Sequence, residues 1–140
     1  MSLEIELKIQ KGIRDAEDEI VKAISTALND TKYGDLEESQ FRNLLNVATA
    51  TDSSEVVKNF LRYQIGRDKK WGQGKGSLAE AIVDDIQILL IDRAKTIAKT
   101  ALVADANLTA KTKDIHIELI RRYLGYGSRH LVYKRKGEFK

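Results

Sequence analysis

Apolar residues recur along the chain at intervals of three and four, the spacing that places side chains on one face of an α-helix. This pattern predicts five helices, over about 9–28, 39–50, 53–66, 78–106 and 109–125. The second helix can start from Asp35 with Glu38 or from Ser39, the third from Asp52 or Ser53, and the fifth from Thr109 or Thr112. The fourth is the longest, and its middle is apolar on most sides, so we expect it to be the central helix of a bundle. The first eight residues alternate apolar and charged positions, which leaves strand and helix both open.

Composition supports the same fold class. The chain has 140 residues, no proline and few aromatic residues, and 32% of its residues are charged. This size and composition favour one all-α domain, a single-domain bundle of about five helices spanning residues 1–140. Cysteine is absent, which excludes disulfides and fits a cytoplasmic protein. No apolar run is long enough for a signal peptide or a membrane span, so we expect no membrane partner.

Charge is distributed unevenly along the chain. Residues 1–55 contain 6 Lys and Arg against 12 Asp and Glu, a net charge of −6, whereas residues 56–140 contain 18 against 9, a net charge of +9. A basic part carried by an acidic remainder is typical of proteins that present one face to phosphate. Basic chains without a nucleic-acid role are also common, so charge alone favours RNA or DNA only slightly.

The clearest break in composition is a basic, glycine-rich loop at 67–76. Its single tryptophan, Trp71, has two interpretations of equal weight: stacking on an unpaired base, or folding back to cover the core. Ser77 and Glu80 form a capping box that predicts the start of the next helix. The loop resembles a phosphate-binding loop only in part, because Gly76 separates Lys75 from Ser77 and a helix precedes it, so we expect no NTPase activity.

A second basic group lies near the carboxyl end and alternates with tyrosines. It includes a basic arm at 128–140, for which a short strand, a helix end and disorder are all open. Solvated surface is the usual role of such charges, but aromatic residues between cations favour nucleic acid. The candidate RNA-contacting residues in both groups and on the second helix are Arg42, Arg62, Arg67, Lys69, Lys70, Trp71, Lys75, Arg121, Arg122 and Arg129.

Catalytic and metal-binding patterns are not recognisable in the sequence. His116 and His130 lie far apart, and neither has a Cys, His or carboxylate at metal-ligand spacing. No serine lies in a nucleophile context, and no acid–base pair stands out. We therefore expect a non-enzyme without metal or cofactor.

Two segments are similar to a known family. Leu36–Leu45, LEESQFRNLL, resembles the Leu-Thr-Thr-Ser-x-hydrophobic-Arg-Asn-Leu-Leu helix start in the small helical subunit of type III-A CRISPR-Cas effector complexes, the Csm complex. Phe60–Arg67, FLRYQIGR, resembles that family's Tyr-Gln-x-Gly-Arg helix end, and Leu119–Gly127 is a weaker match to its Tyr- and Phe-rich helix. Glu37 and Glu38 stand where the family has threonines.

The resemblance implies an all-α, non-catalytic subunit, present in several copies along a guide RNA and its target, with other effector subunits as partners. Carried over by position, Arg42 and Arg67 would contact RNA, whereas Lys69, Lys70 and Lys75 lie in an insertion. The alternative hypothesis is a helical protein–protein interaction module, with self-association through the first or fourth helix and no nucleic-acid role.

Overall fold

The computed structural model describes residues 2–137. Within that range the chain forms α1 (Leu3–Asp30), α2 (Glu38–Ala50), α3 (Ser54–Arg67), α4 (Leu78–Asp84), a π-helical segment (Asp85–Leu90), α5 (Ile91–Thr100) and α6 (Asp105–Lys136). The π-helical segment joins α4 to α5 without a break, so the described residues make a bundle of five helical rods with no β-strand. The all-α prediction is confirmed, and the undecided first residues are helical from Leu3.

The central helix is α6, which packs against α1, α2 and α5. It has 32 residues and is longer than the whole run from Leu78 to Thr100, so the prediction that the fourth helix is longest and central was wrong. The predicted stop at Gly125 also fails, because the buried residues Gly127 and Leu131 continue the packed face beyond it. Residues 128–136 of the predicted arm are the end of this helix, and 138–140 lie outside the described residues.

Contacts between the helices fix their directions. Glu6 bonds Lys111 and Glu17 contacts Arg122, so α1 and α6 run parallel. Helix α5 runs antiparallel to α6, because only the four residues 101–104 connect them. Helix α2 also runs antiparallel to α6, because Arg121 bonds the carboxyl end of α2 whereas Lys136, further along α6, pairs with Glu38 at its start. The core lies between α6 and these neighbours.

The corner between α5 and α6 is a left-handed helix cap. The N–H of Leu102 donates to Lys99 O at 3.0 Å, and the N–H of Val103 donates to Ala98 O at 3.2 Å, the two bonds of a Schellman motif. Leu102 has a φ of 64°, a conformation that glycine usually supplies. The helix predicted to reach Ala106 therefore ends six residues earlier, at Thr100, where the sequence contains no glycine to signal the end.

The closest approach in the bundle occurs at Gly127 of α6. A Cβ atom added there would lie 2.7 Å from Ile24 of α1 and 2.7 Å from Phe41 of α2. Such distances are shorter than van der Waals contact, so only glycine lets both neighbours touch the α6 backbone. Gly125 lies two residues earlier on the same helix, and a Cβ atom added there would have no neighbouring atom within 4 Å.

Two side chains of α6 contact the π-helical segment. His116, which is buried, lies with Nε2 2.7 Å from the carbonyl oxygen of Ile86, so Nε2 carries the hydrogen and donates. Tyr123 donates its hydroxyl to Asp85 Oδ2 at 2.5 Å. Burial raises the pKa of Asp85, and burial together with that carboxylate raises the pKa of Tyr123 well above its usual value. Wide π turns are rare, and here α6 supplies the partners that hold one in place.

The two glycines of α6 give a matched test of the packing. Gly127→Ala should lower the free energy of unfolding by about 1–3 kcal/mol, because the added methyl overpacks the contact with Ile24 and Phe41. Gly125→Ala should raise it by up to about 1 kcal/mol, because alanine is the better helix former and meets nothing. Urea unfolding followed by circular dichroism measures both, and equal effects would contradict the close approach.

His116 should make stability depend on pH. Burial lowers its pKa below the usual 6.5, with a smaller lowering from Lys58, while the bond to Ile86 O and the charge of Glu55 oppose the shift. The unfolded chain then binds more protons than the folded one below about pH 6.5, so the free energy of unfolding falls as pH drops through that value. Urea titrations between pH 5 and 8 should show this slope, and His116→Gln should flatten it. An unchanged slope in the variant would refute the assignment.

Candidate nucleic-acid interface

The α2–α3 hairpin carries the basic residues of the two best-matching segments. The three residues 51–53 join the helices, so they run antiparallel, and the start of α2 lies beside the end of α3. A 2.8 Å ion pair between Glu37 and Lys70 closes this end. Arg42 near the start of α2 and Arg67 at the end of α3 therefore lie at the same end of the hairpin.

Local sequence explains where both helices begin. Glu37 is the N-cap of α2 and forms a capping box with Gln40, so neither of the predicted starts, Asp35 with Glu38 or Ser39 by itself, is correct. Ser53 caps α3 by accepting the N–H of Val56, one of the two starts that the sequence predicted. Leu44 and Leu61 are buried on the inner faces, which turns the arginines outward.

An exposed aromatic residue accompanies these cations. The guanidinium of Arg67 lies 5.6 Å from the centre of the Tyr63 ring, and Tyr63 is 60% exposed. Arginine over an aromatic face is a cation–π contact, and the pair presents a flat surface to solvent. Tyr63 was not among the predicted site residues, although its place among the cations of the first basic group was a signal for nucleic-acid binding. The sequence could not show its exposure.

Trp71 lies in the core and not on the surface. Its side chain is fully buried, and its ring stacks on Phe41 with centroids 5.7 Å apart. Of the two interpretations left open by the sequence, the one that covers the core is therefore correct, and Trp71 is removed from the candidate site. The physical reason is that the large ring packs between the loop and Phe41 of α2, where it is removed from water.

The glycine-rich loop is bonded to the α1–α2 connection. Lys32 exchanges backbone hydrogen bonds with Gly76 and Leu78, and Gly34 N–H donates to Lys70 O. Gly72 has a φ of +80°, and a Cβ there would lie 2.3 Å from Lys32 O, so only glycine permits this approach. These backbone bonds hold the loop against the α1–α2 connection.

The loop does not offer its helix-start amides to phosphate. Ser77 caps α4 by accepting the Glu80 N–H at 3.1 Å, as predicted, and the Glu80 carboxylate accepts the Gly76 N–H at 3.1 Å. That carboxylate occupies the position that an anion would take. Lys75 is exposed beside it.

Three other cations predicted to contact RNA form bonds within the protein: Lys70, Arg121 and Arg122. Lys70 pairs with Glu37, and this hydrogen bond raises the pKa of Lys70. Arg121 caps the carboxyl end of α2 by donating to Ala48 O at 2.9 Å and Thr51 O at 2.7 Å. Arg122 donates to Glu118 at 2.9 Å. We therefore assign Arg121 and Arg122 to the fold and not to the surface that meets a ligand.

The other predicted cations are exposed and, within residues 2–137, form no ion pair within 4 Å. Five of them belong to the hairpin and its loop, and one belongs to α6: Arg42, Arg62, Arg67, Lys69, Lys75 and Arg129. Arg62 is still close enough to Glu55 to contribute weakly to lowering that residue's pKa. Five of these six predicted cations thus belong to the hairpin and its loop.

Much of the uneven charge along the sequence is neutralised internally. Acidic residues of the first 55 positions pair with basic residues of the rest: Glu6 with Lys111, Glu17 with Arg122, Glu19 with Arg93, Asp35 with Arg135, Glu38 with Lys136 and Asp52 with Arg121. The net charges of −6 and +9 are therefore an incomplete guide to what the surface presents.

Residues 2–137 contain neither a metal-site cluster nor a membrane-spanning helix. No three His, Asp or Glu side chains gather there as a metal site would require. None of the helices described contains a stretch long and apolar enough to cross a bilayer.

Comparison with known proteins does not assign the chain to a family. No protein-family model, curated protein or solved structure matches the chain.

Proposed function

We propose that the protein is a non-catalytic RNA-binding subunit that holds single-stranded RNA at the open end of its α2–α3 hairpin. The observation that carries the proposal is the grouping there of exposed cations without an ion pair: Arg42 near the start of α2, Arg67 at the end of α3 and Lys69 just beyond it. Arg62 lies more than one turn before the end of α3. Tyr63 lies among them with its ring exposed.

Each part of this surface has a role in binding a polynucleotide. The arginine and lysine side chains pair with phosphates, which gives affinity and position without reading the bases. Tyr63, with Arg67 over its ring, offers a flat face on which an unpaired base stacks, and stacking accepts any base. Binding of this kind is independent of sequence and strongly weakened by salt.

We further propose that the protein is the small subunit of a type III CRISPR-Cas effector complex. This assignment is supported by the placement of the two similar segments: Leu36–Leu45 leads into and occupies α2, Phe60–Arg67 ends α3, and the two helices pack against each other. On this proposal the RNA is the guide and its target, the other partners are subunits of the effector complex, and the location is the cytoplasm.

The proposal predicts which cations matter. Arg42→Gln, Arg67→Gln and Lys69→Gln combined should weaken binding of a fluorescein-labelled single-stranded RNA by at least about tenfold at low salt, because three phosphate contacts are lost. The slope of log affinity against log salt should fall by about two, since each contact to a single strand contributes roughly 0.7. Fluorescence anisotropy at several salt concentrations measures both.

A variant with the same loss of charge supplies the control. Lys95→Gln, Lys99→Gln and Lys113→Gln combined remove three exposed cations from α5 and α6 and should change RNA binding little. Equal weakening by the two variants would reduce the interaction to net charge. No RNA binding at low salt, by the chain alone or within its complex, would leave the helical interaction module as the better account.

A further inference from the structure

We propose that the groove between α5 and α6, together with Leu102 at its end, docks an acidic amphipathic helix of a partner protein. The groove has a volume of about 440 Å³ and is lined by residues of both helices, among them Ile91, Lys95 and Lys99 of α5 and Leu108 and Lys113 of α6. It is separate from the α2–α3 hairpin, so the proposal goes beyond RNA binding.

The floor of the groove is apolar and partly covered. Ile91 and Leu108 are half-buried, and Thr112 between the helices is buried. Two helices with an apolar valley between them form the surface into which an amphipathic helix lays its apolar face in many complexes.

The rim of the groove is positively charged. Lys95 and Lys99 lie one turn apart on α5, and Lys113 belongs to the opposite wall. Within the described residues none of the three forms an ion pair within 4 Å, whereas Lys111 on the same helix pairs with Glu6 at 3.0 Å. Three uncompensated lysines around an apolar floor complement a helix whose apolar stripe is flanked by Asp or Glu.

Leu102 supplies a second, independent observation. It lies in the short loop that joins the two walls, its φ is 64°, and it is 70% exposed. Glycine would adopt this backbone conformation without steric cost, so the chain keeps an exposed leucine at the expense of stability. A strained position that also exposes a large apolar side chain is explained when the side chain has a partner.

Other exposed leucines lie at the same end of the bundle. Lys8 of α1 and Thr100 of α5 line a common pocket, so the start of α1 is near the end of α5. Leu3 and Leu7 in that first part of α1 are 75% and 60% exposed. They line a shallow pocket on the outer face of α1, formed by residues of that helix and separate from the groove.

An acidic helix fits these features better than the other ligands that lysines attract. RNA phosphates would use the rim but not the apolar floor or Leu102. A flat bilayer would meet the convex helix surfaces and would not reach Ile91 and Leu108 in the groove. A helix with leucines on one face and glutamates beside them uses the floor, the rim and Leu102 together.

Two synthetic helical peptides test the proposal with the full chain. Both carry one stripe of leucines, flanked by glutamates in the first and by lysines in the second, with a fluorescein label for anisotropy. The glutamate peptide should bind at least about tenfold more tightly than the lysine peptide. Lys95→Glu, Lys99→Glu and Lys113→Glu combined should reverse that preference.

Leu102→Gly separates docking from folding. It should weaken binding of the glutamate peptide by about tenfold, because a buried leucine contact is lost. The same change should raise the melting temperature by roughly 3 °C, because glycine removes the backbone strain. A variant that merely damaged the fold would instead melt at a lower temperature.

Several results would overturn the proposal. These are equal binding of the two peptides, no binding of either, and peptide affinity that Leu102→Gly leaves unchanged. Loss of peptide binding in the Arg42→Gln, Arg67→Gln, Lys69→Gln variant would place the site on the hairpin. Binding to phosphatidylserine vesicles without peptide binding would assign the groove to lipid, and a dimer that Leu102→Gly dissociates would assign it to a second copy.

Discussion

The bundle depends on how closely three helices approach at Gly127. Ile24 of α1 and Phe41 of α2 both press against the α6 backbone there, at a distance that leaves no room for a Cβ atom. Phe41 in turn stacks on Trp71, which brings the loop after α3 into the same core. The absence of a side chain at Gly127 thus lets α1, α2, α6 and the loop after α3 pack together, although they are far apart in sequence. Tightly packed interiors transmit such constraints from one layer to the next.

Ion pairs at the surface of the bundle connect the helices that form this core. Those joining the acidic and basic parts of the sequence are mostly half-exposed, and exposed pairs contribute only about 0–1 kcal/mol each. Their value is in register: Glu6, Glu17 and Glu38 each meet one cation of α6 at successive heights along the helix. A shift of α1 or α2 along α6 would break several of them at once.

The fold class and most helix faces could be predicted from the sequence. The stripe that includes Ile9, Ile13, Ile20 and Ile24 is buried as its spacing indicates, and Ser53 and Ser77 cap the helices that follow them. Helix ends were harder to predict. Local signals place a stop at Gly125 and none at Leu102, but tertiary packing determines both, and a sequence pattern contains no information on which neighbour will be present.

The candidate interface could be predicted only in part, for a related reason. Arg42, Arg67 and Lys69 are exposed as expected, whereas Arg121 serves as a helix cap and Trp71 as core. In sequence these residues look alike, each a cation or aromatic residue within a basic stretch. What distinguishes them is whether a carbonyl, a carboxylate or a ring lies opposite after folding, and residues far along the chain supply those groups.

The bonds of Lys32 with Gly76 and Leu78 have a consequence for how the protein can change over evolutionary time. They bring the two ends of the segment 33–76 together, so that segment leaves the remaining helices and returns at the same point. The segment cannot be replaced as a whole, because it contributes buried residues such as Phe41 and Trp71 to the core. Its exposed cations are different, since substitutions at Arg42, Arg67 or Lys69 change the surface charge and leave the buried residues in place. Evolution can therefore alter the charge of this surface residue by residue while the fold is retained.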